Sequence, residues 1–194
     1  MRVLITGASG SGTTTLGKTL AQICHAQFFD SDDYFWVPSD PPYQEQVSRE
    51  ERLTQILKEL GACQKAVVSG SIVGWGEPLE SSFSLVVFLQ VPTHIRLERI
   101  KIRELARFGK INPAFLKWAA QYDEGPSEGR SLVKHNAWLN KLHCPVVRLV
   151  GKLSQSEQLE LIAKAVPNTK VERDSQQAAL VGALATLGCP SLSR

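Results

Sequence analysis

The residues best suited to chemistry lie close together near the start of the chain. Gly7, Ser9, Gly10, Ser11, Gly12, Thr13, Thr14 and Thr15 fall within the run GASGSGTTT. Glycines at 7, 10 and 12 let main-chain amides turn inward around an anion, and the hydroxyls add donors and an oxygen ligand for a hard cation. VLITG, which includes Gly7, reads as a buried strand, and Thr14 to Ala26 reads as a helix, so the loop sits at the positive end of a helix dipole. The pattern GxxxxGK[ST] of a polyphosphate cradle is met at Gly7, Gly12 and Thr14, with the Thr14 hydroxyl placed to reach a metal ion. It departs at position 13, where Thr13 replaces the lysine. Losing one preorganised donor aimed at developing charge costs on the order of 3 kcal/mol, about a hundredfold in rate, unless another cation takes its place. Lys18 is a poor substitute, lying about 7.5 Å along the helix and about 140° around it from Thr13.

A second constellation is FFDSDD, in which Asp30 and Asp32 flank Ser31 at the end of a short apolar run. Two carboxylates on the rim of a phosphate site are costly unless they face a cation, donors or water. Asp30 is read as holding a magnesium ion through water, and Asp32 as accepting a proton from an attacking hydroxyl or binding the acceptor. The competing reading is that Asp32 and Asp33 only cap the next turn. A third constellation is THIRLERIKIRELARFG, where Arg96, Arg99, Arg103 and Arg107 fall along one helical face. That stripe either meets transferred phosphate or forms a solvated face paired with Glu98 and Glu104. His25, His94, His135 and His143 have no metal-ligand spacing, and Trp118 and Trp138 read as packing.

The elements that must position these residues alternate along the chain. Strands are expected at 3–7, 27–31, 66–71, 84–91 and 145–150, each short and apolar. Helices are expected at 14–26, 48–60, 94–108 with Thr93 as its cap, 130–142 and 154–166, with a lid segment at about 109–129. This order predicts an α/β doubly wound fold, a five-stranded parallel sheet in a three-layer α/β/α sandwich that binds ligands beyond the carboxyl ends of its strands. Residues 1–166 are expected to form one domain, and 167–194 an extra docked helix. The chain of 194 residues is 43% hydrophobic and 21% charged, with a net charge of +3, an ordinary globular balance that gives nucleic-acid binding little support. The scattered Cys24, Cys63, Cys144 and Cys189 suit buried thiols in the cytoplasm. The opening MRVLITG is too short an apolar run for a signal peptide, and no membrane span is expected.

Taken together, these motifs resemble the adenylate-kinase and shikimate-kinase group of small P-loop phosphotransferases across about residues 2–166. Val91, Pro92, Arg99 and Arg103 match the VP and RxxxR that open the lid in that group. Asp30 and Asp32 are similar to the Asp-x-Asp of the shikimate and gluconate kinases, which implies Asp30 near magnesium and Asp32 near the acceptor. The resemblance further implies an acceptor-anion arginine at Arg49 and a substrate-facing turn around Gly70. It also implies a phosphate-contacting arginine at Arg130 and an adenine loop at Gly151 and Lys152. Trp75 reads as packing like Trp118 and Trp138, or, from its place between Gly74 and Gly76, as lining the acceptor pocket.

The expected function is a phosphotransferase using ATP and Mg²⁺, acting as a monomer or homodimer. Its acceptor is a nucleoside monophosphate or a small hydroxylated metabolite. Arg99, Arg103 or Arg130 would supply the charge missing at Thr13 when the lid closes. The alternatives are a nucleotide-binding protein that lost phosphoryl transfer with the lysine, and a regulatory protein acting through the basic helix or the tail.

Overall fold

The computed structural model describes residues 1–125 and 129–165. Five parallel strands form one sheet: β1 (Arg2–Gly7), β2 (Gln27–Asp30), β3 (Ala66–Ser69), β4 (Leu85–Gln90) and β5 (Val146–Val150), in the order β2-β3-β1-β4-β5. The central strands β1, β3 and β4 are buried on both faces because helices cover both, whereas the edge strands β2 and β5 are partly exposed. Val3, Ile5, Val67, Val87 and Leu89 pack on one face against α1 (Thr13–Cys24) and α8 (Gln155–Ala165) through Leu16, Leu20, Leu159 and Ile162. The alternate residues Leu4, Val68, Val86 and Phe88 pack on the other face. There they meet α3 (Arg49–Gly61), α4 (Glu77–Glu80) and α7 (Leu132–Leu139) through Ile56, Leu60, Leu79 and Trp138. This is the period-two division of side chains that a strand imposes.

Register places the loops on a common rim. Ile5 pairs with Ser69, Gly7 with Leu89, Asp30 with Ser69 and Gln90 with Val150. The loops after β1, β2, β3 and β5 therefore open at the same edge, with β1 central.

Several local expectations change. β2 ends at Asp30, and Ser31 begins the short helix α2 (Ser31–Phe35). The segment expected to act as a lid contains a helix, α6 (Pro113–Ala120), whose first turn is capped by the Asn112 side chain accepting from Phe115 N at 3.2 Å. α7 is shorter than the expected 130–142 and starts behind Ser131, which caps it by accepting from Lys134 N at 3.2 Å. Thr93 does not cap α5 (Thr93–Phe108). It is the first helical residue, and its hydroxyl instead donates to Asp123. The expected docked helix at 167–194 lies outside the described residues.

Candidate active site

The loop between β1 and α1 is built to hold an anion. Gly12 stands at the N-cap of α1 with φ +100, a conformation that favours glycine, and no side chain caps the helix. By contrast, α3, α6 and α7 each carry a side-chain cap. The first amides of α1 thus keep their donors for a ligand. Inside the loop, the Ser11 hydroxyl is buried and has no hydrogen-bond partner among the described residues, and Thr6 on β1 and Ser69 on β3 show the same. Buried hydroxyls are normally satisfied, so orphans at the floor of a glycine loop mark where a bound group supplies acceptors. Ser9, Thr13 and Thr14 are half-buried, whereas Thr15 is exposed on the first turn of α1.

Thr14 Oγ1 donates to Asp30 Oδ2 at 2.9 Å, which joins the loop to the end of β2. The other oxygen of Asp30 accepts from Asp32 N at 3.2 Å and so caps α2. The capping residue is therefore Asp30, and Asp32 is left with its carboxyl free. Thr14 and Asp30 form a compact pair of hard oxygen ligands that fits magnesium, which is held by few protein groups together with water and phosphate. Among the described residues, no cluster of three or more His, Cys, Asp or Glu residues could hold a metal by itself.

Asp32 is exposed to water at the start of α2, with protein atoms close around its carboxyl. Lost solvation pushes its carboxyl above the usual carboxylate range, opposed by Arg130 and Arg103 and reinforced by Asp30 and Asp33. Burial in turn lowers the Arg130 guanidinium from its ordinary value, against the pull of Asp32 and Tyr122. Arg130 forms no ion pair among the described residues, and its charge acts on Asp32 from beyond ion-pair distance.

Arg49, at the start of α3, donates through Nε to the carbonyl of Trp75 at 3.1 Å. Of the two readings of Trp75, the side chain takes the packing one and does not line an open pocket. It is 2% exposed and belongs to the core, because the hydrophobic cost of exposing an indole outweighs its use as a rim. Its ring backs a residue that sequence reasoning missed. Arg52 lies with its guanidinium 4.9 Å from the Trp75 ring and 4.6 Å from Phe35, and its buried Nε has no partner. Burial lowers its pKa first, then the nearby charges of Arg49 and Arg130. The available signal was its position three residues after Arg49, on the same helical face. Gly70 turns with φ +107 beside Ser31, where a Cβ would come within 2.0 Å of the Ser31 hydroxyl.

The arginine stripe divides. Arg96 is fully buried and structural. It donates to the carbonyls of Val91 at 2.9 Å and Ala119 at 3.2 Å, to Thr93 at 2.8 Å, and to Asp123 at 3.1 Å. Arg99 reaches the glycine loop, donating from Nη1 to the carbonyls of Gly10 at 3.4 Å and Ser11 at 3.2 Å. Arg103 lies over the Phe115 ring at 5.9 Å, and Arg107 lies over Phe108 at 5.3 Å. Lys18 turns away to the Phe28 ring, 5.8 Å from its centroid. Gly151 donates its amide to Gln90 at 2.9 Å, and Lys152 is exposed at the same rim.

Sequence reasoning also set His135 aside. The residue is buried, with Nε2 3.1 Å from the Ser71 hydroxyl and Nδ1 2.5 Å from the Tyr122 hydroxyl. Desolvation, with Arg130 adding to it, brings its pKa down to about 4. The turn after β3 and the segment before α7 are thereby linked through one imidazole.

The parallel sheet, the glycine loop and the surrounding helices define a P-loop nucleotide-binding fold. The sequence profile of the family described as an AAA domain matches residues 3–107, and the chain belongs to this P-loop family. It is 36% identical over 168 residues to the uncharacterized protein YqaC of Bacillus subtilis (strain 168), covering 81% of this chain and 93% of that one. Among solved structures, shikimate kinase from Acinetobacter baumannii in complex with shikimate superposes with a TM-score of 0.54 at 15% identity, over 87% of this chain and 94% of that chain. Deoxyadenosine kinase from M. mycoides with bound dATP gives 0.51 at 15% identity, over 84% and 98%. The fold is that of the small P-loop kinases of the nucleoside monophosphate and shikimate kinase type.

Proposed function

We propose that this chain is an ATP-dependent phosphotransferase acting on a nucleoside monophosphate or a small hydroxylated metabolite. The observation that carries this reading is the position of Asp32. A carboxyl with a raised pKa stands beside the Thr14–Asp30 pair and faces Arg130 and Arg103. The Asp32 carboxyl makes no hydrogen bond among the described residues, which suits a group that accepts a proton from an acceptor hydroxyl.

In this reading, the amides of Gly7 to Thr15 grip the triphosphate, and Gly151 and Lys152 border the base. Thr14 and Asp30 would hold magnesium, which would neutralise charge on the phosphates. With a hydroxylated acceptor, Asp32 takes the hydroxyl proton as that oxygen bonds to the terminal phosphorus and the bond to ADP breaks; a nucleoside monophosphate attacks through a phosphate oxygen that carries no such proton. Arg99, Arg103 and Arg130 would stabilise the charge that develops on the transferred group. Arg49, Arg52 and Arg130 converge on the acceptor side, which suits an acceptor bearing a carboxylate or phosphate. Gly70 shapes the adjoining turn, and residues 1–166 act as the catalytic domain.

The test is ATP consumption by the purified protein against a panel of nucleoside monophosphates, sugar acids and hydroxylated carboxylic acids. Acceptor-dependent ADP release is expected. Thr13 favours a second reading, a nucleotide-binding protein without phosphoryl transfer. ATP binding with no acceptor-stimulated turnover, together with turnover created by Thr13→Lys, establishes that reading instead.

A further inference from the structure

Position 13 carries no cation, yet the loop is not without one. The start of α5 is packed directly on the glycine loop. A Cβ on Gly10, whose φ is +81, would come within 2.5 Å of the Arg96 carbonyl and 3.1 Å of Ile100. Arg96 fixes that turn of α5 through its buried bonds to Val91, Thr93, Ala119 and Asp123. Arg99, one turn further along, is therefore held in place by the body of the fold. Its Nη1 is engaged by the carbonyls of Gly10 and Ser11, and lies 3.8 Å from where a Cβ on Gly12 would stand, one residue from Thr13. Nε and Nη2 have no partner among the described residues.

We infer that Arg99 is the fixed cation of the nucleotide site, standing in for the lysine that Thr13 replaces. This deepens the phosphotransferase reading and rests on it. The guanidinium acts in two ways. Nε and Nη2 remain free to donate to the β- and γ-phosphate oxygens as a planar fork. The positive charge on the Ser11 carbonyl also polarises the Ser11–Gly12 peptide, which strengthens the Gly12 amide as a donor to the same anion. The charge is set before any closure of the lid, in contrast to the expectation that lid movement would deliver it. Arg103 and Arg130, which have no such anchor on the loop, remain the arginines for the later step.

A lysine at 13 and the guanidinium of Arg99 would compete for one anionic site, so their effects must be strongly non-additive. The experiment is calorimetric titration of the full chain with ATP and with ADP in the presence of Mg²⁺, for the native protein, Arg99→Ala, Arg99→Gln, Thr13→Lys, Thr13→Lys with Arg99→Ala, and Arg107→Ala. Arg99→Gln keeps a hydrogen bond to the loop while removing charge, so it separates electrostatics from folding. Both Arg99 variants should weaken ATP binding by roughly tenfold to a hundredfold, the range of a charge-assisted hydrogen bond, and ADP binding by less. Thr13→Lys should recover most of that loss in the Arg99→Ala background and gain little in the native one. Arg107→Ala should leave the affinity unchanged. Native-like ATP affinity in folded Arg99→Gln overturns the inference, as does the same gain from Thr13→Lys in both backgrounds. A native protein that binds no ATP defeats the phosphotransferase reading, and the role of Arg99 with it.

Discussion

At the scale of single residues, the carboxyl of Asp32 carries opposing demands of stability and chemistry. Its pKa is raised, so the folded chain binds that proton more tightly than the unfolded chain, and stability falls as pH rises through the window between the two values. Asp32→Asn should therefore raise the melting temperature at neutral pH, with no gain below the unfolded carboxylate pKa of about 3.9. Turnover with a hydroxyl acceptor should drop by roughly a hundredfold or more while ATP affinity stays, as measured by coupled assay and titration. Arg52 gives a second test. Its guanidinium is wedged against Phe35 and Trp75, a flat slot that suits a planar cation and not an ammonium. Arg52→Lys should raise KM for an anionic acceptor by about tenfold and leave KM for ATP unchanged in steady-state kinetics.

At the scale of elements, the contact between α5 and the loop controls the nucleotide site. Gly10→Ala places a methyl against the Arg96 carbonyl at a positive φ, so either the loop or the helix must move. A loss of about 1–3 kcal/mol in thermal or urea unfolding is expected, together with weakened ATP binding. Much of this element level was legible in the sequence. The five strands, the glycine loop and the α5 arginines follow from apolar runs, glycine spacing and helical period. The fates of Arg96 and Arg99 did not, because period places both on one face and cannot say that one end of that face is buried under α6. The spacing of Arg52 from Arg49 gave its helical face, but the roles of Arg52 and His135 were hidden for a related reason. Each acquires its role from partners distant in the chain, Trp75 for one and Ser71 for the other. For Asp30, its place at a strand end beside the glycine loop was legible, whereas its capping of α2 depends on where the Asp32 amide falls.

At the scale of the whole molecule, acid should unfold this protein through the imidazole that bridges two parts of the rim. The folded pKa of His135 is about 4 and that of an unfolded histidine about 6.5, so on acidification the unfolded chain takes up a proton that the native core refuses. Stability should fall as pH drops through that window, on the order of 3 kcal/mol in all. His135→Gln should flatten the slope in urea denaturation followed from neutral to acid pH. Asp32 works in the opposite direction but only near the carboxylate range. The bond from Thr14 to Asp30 has an outcome of its own for how the protein withstands handling. Each of these two groups already satisfies the other, so the resting fold does not lean on an ion to quiet a bare carboxylate. Chelator treatment should leave the melting curve where it was, and Mg²⁺ should shift it only when ATP accompanies it. Such a chain survives ion starvation intact and resumes its affinity for nucleotide once the ion returns.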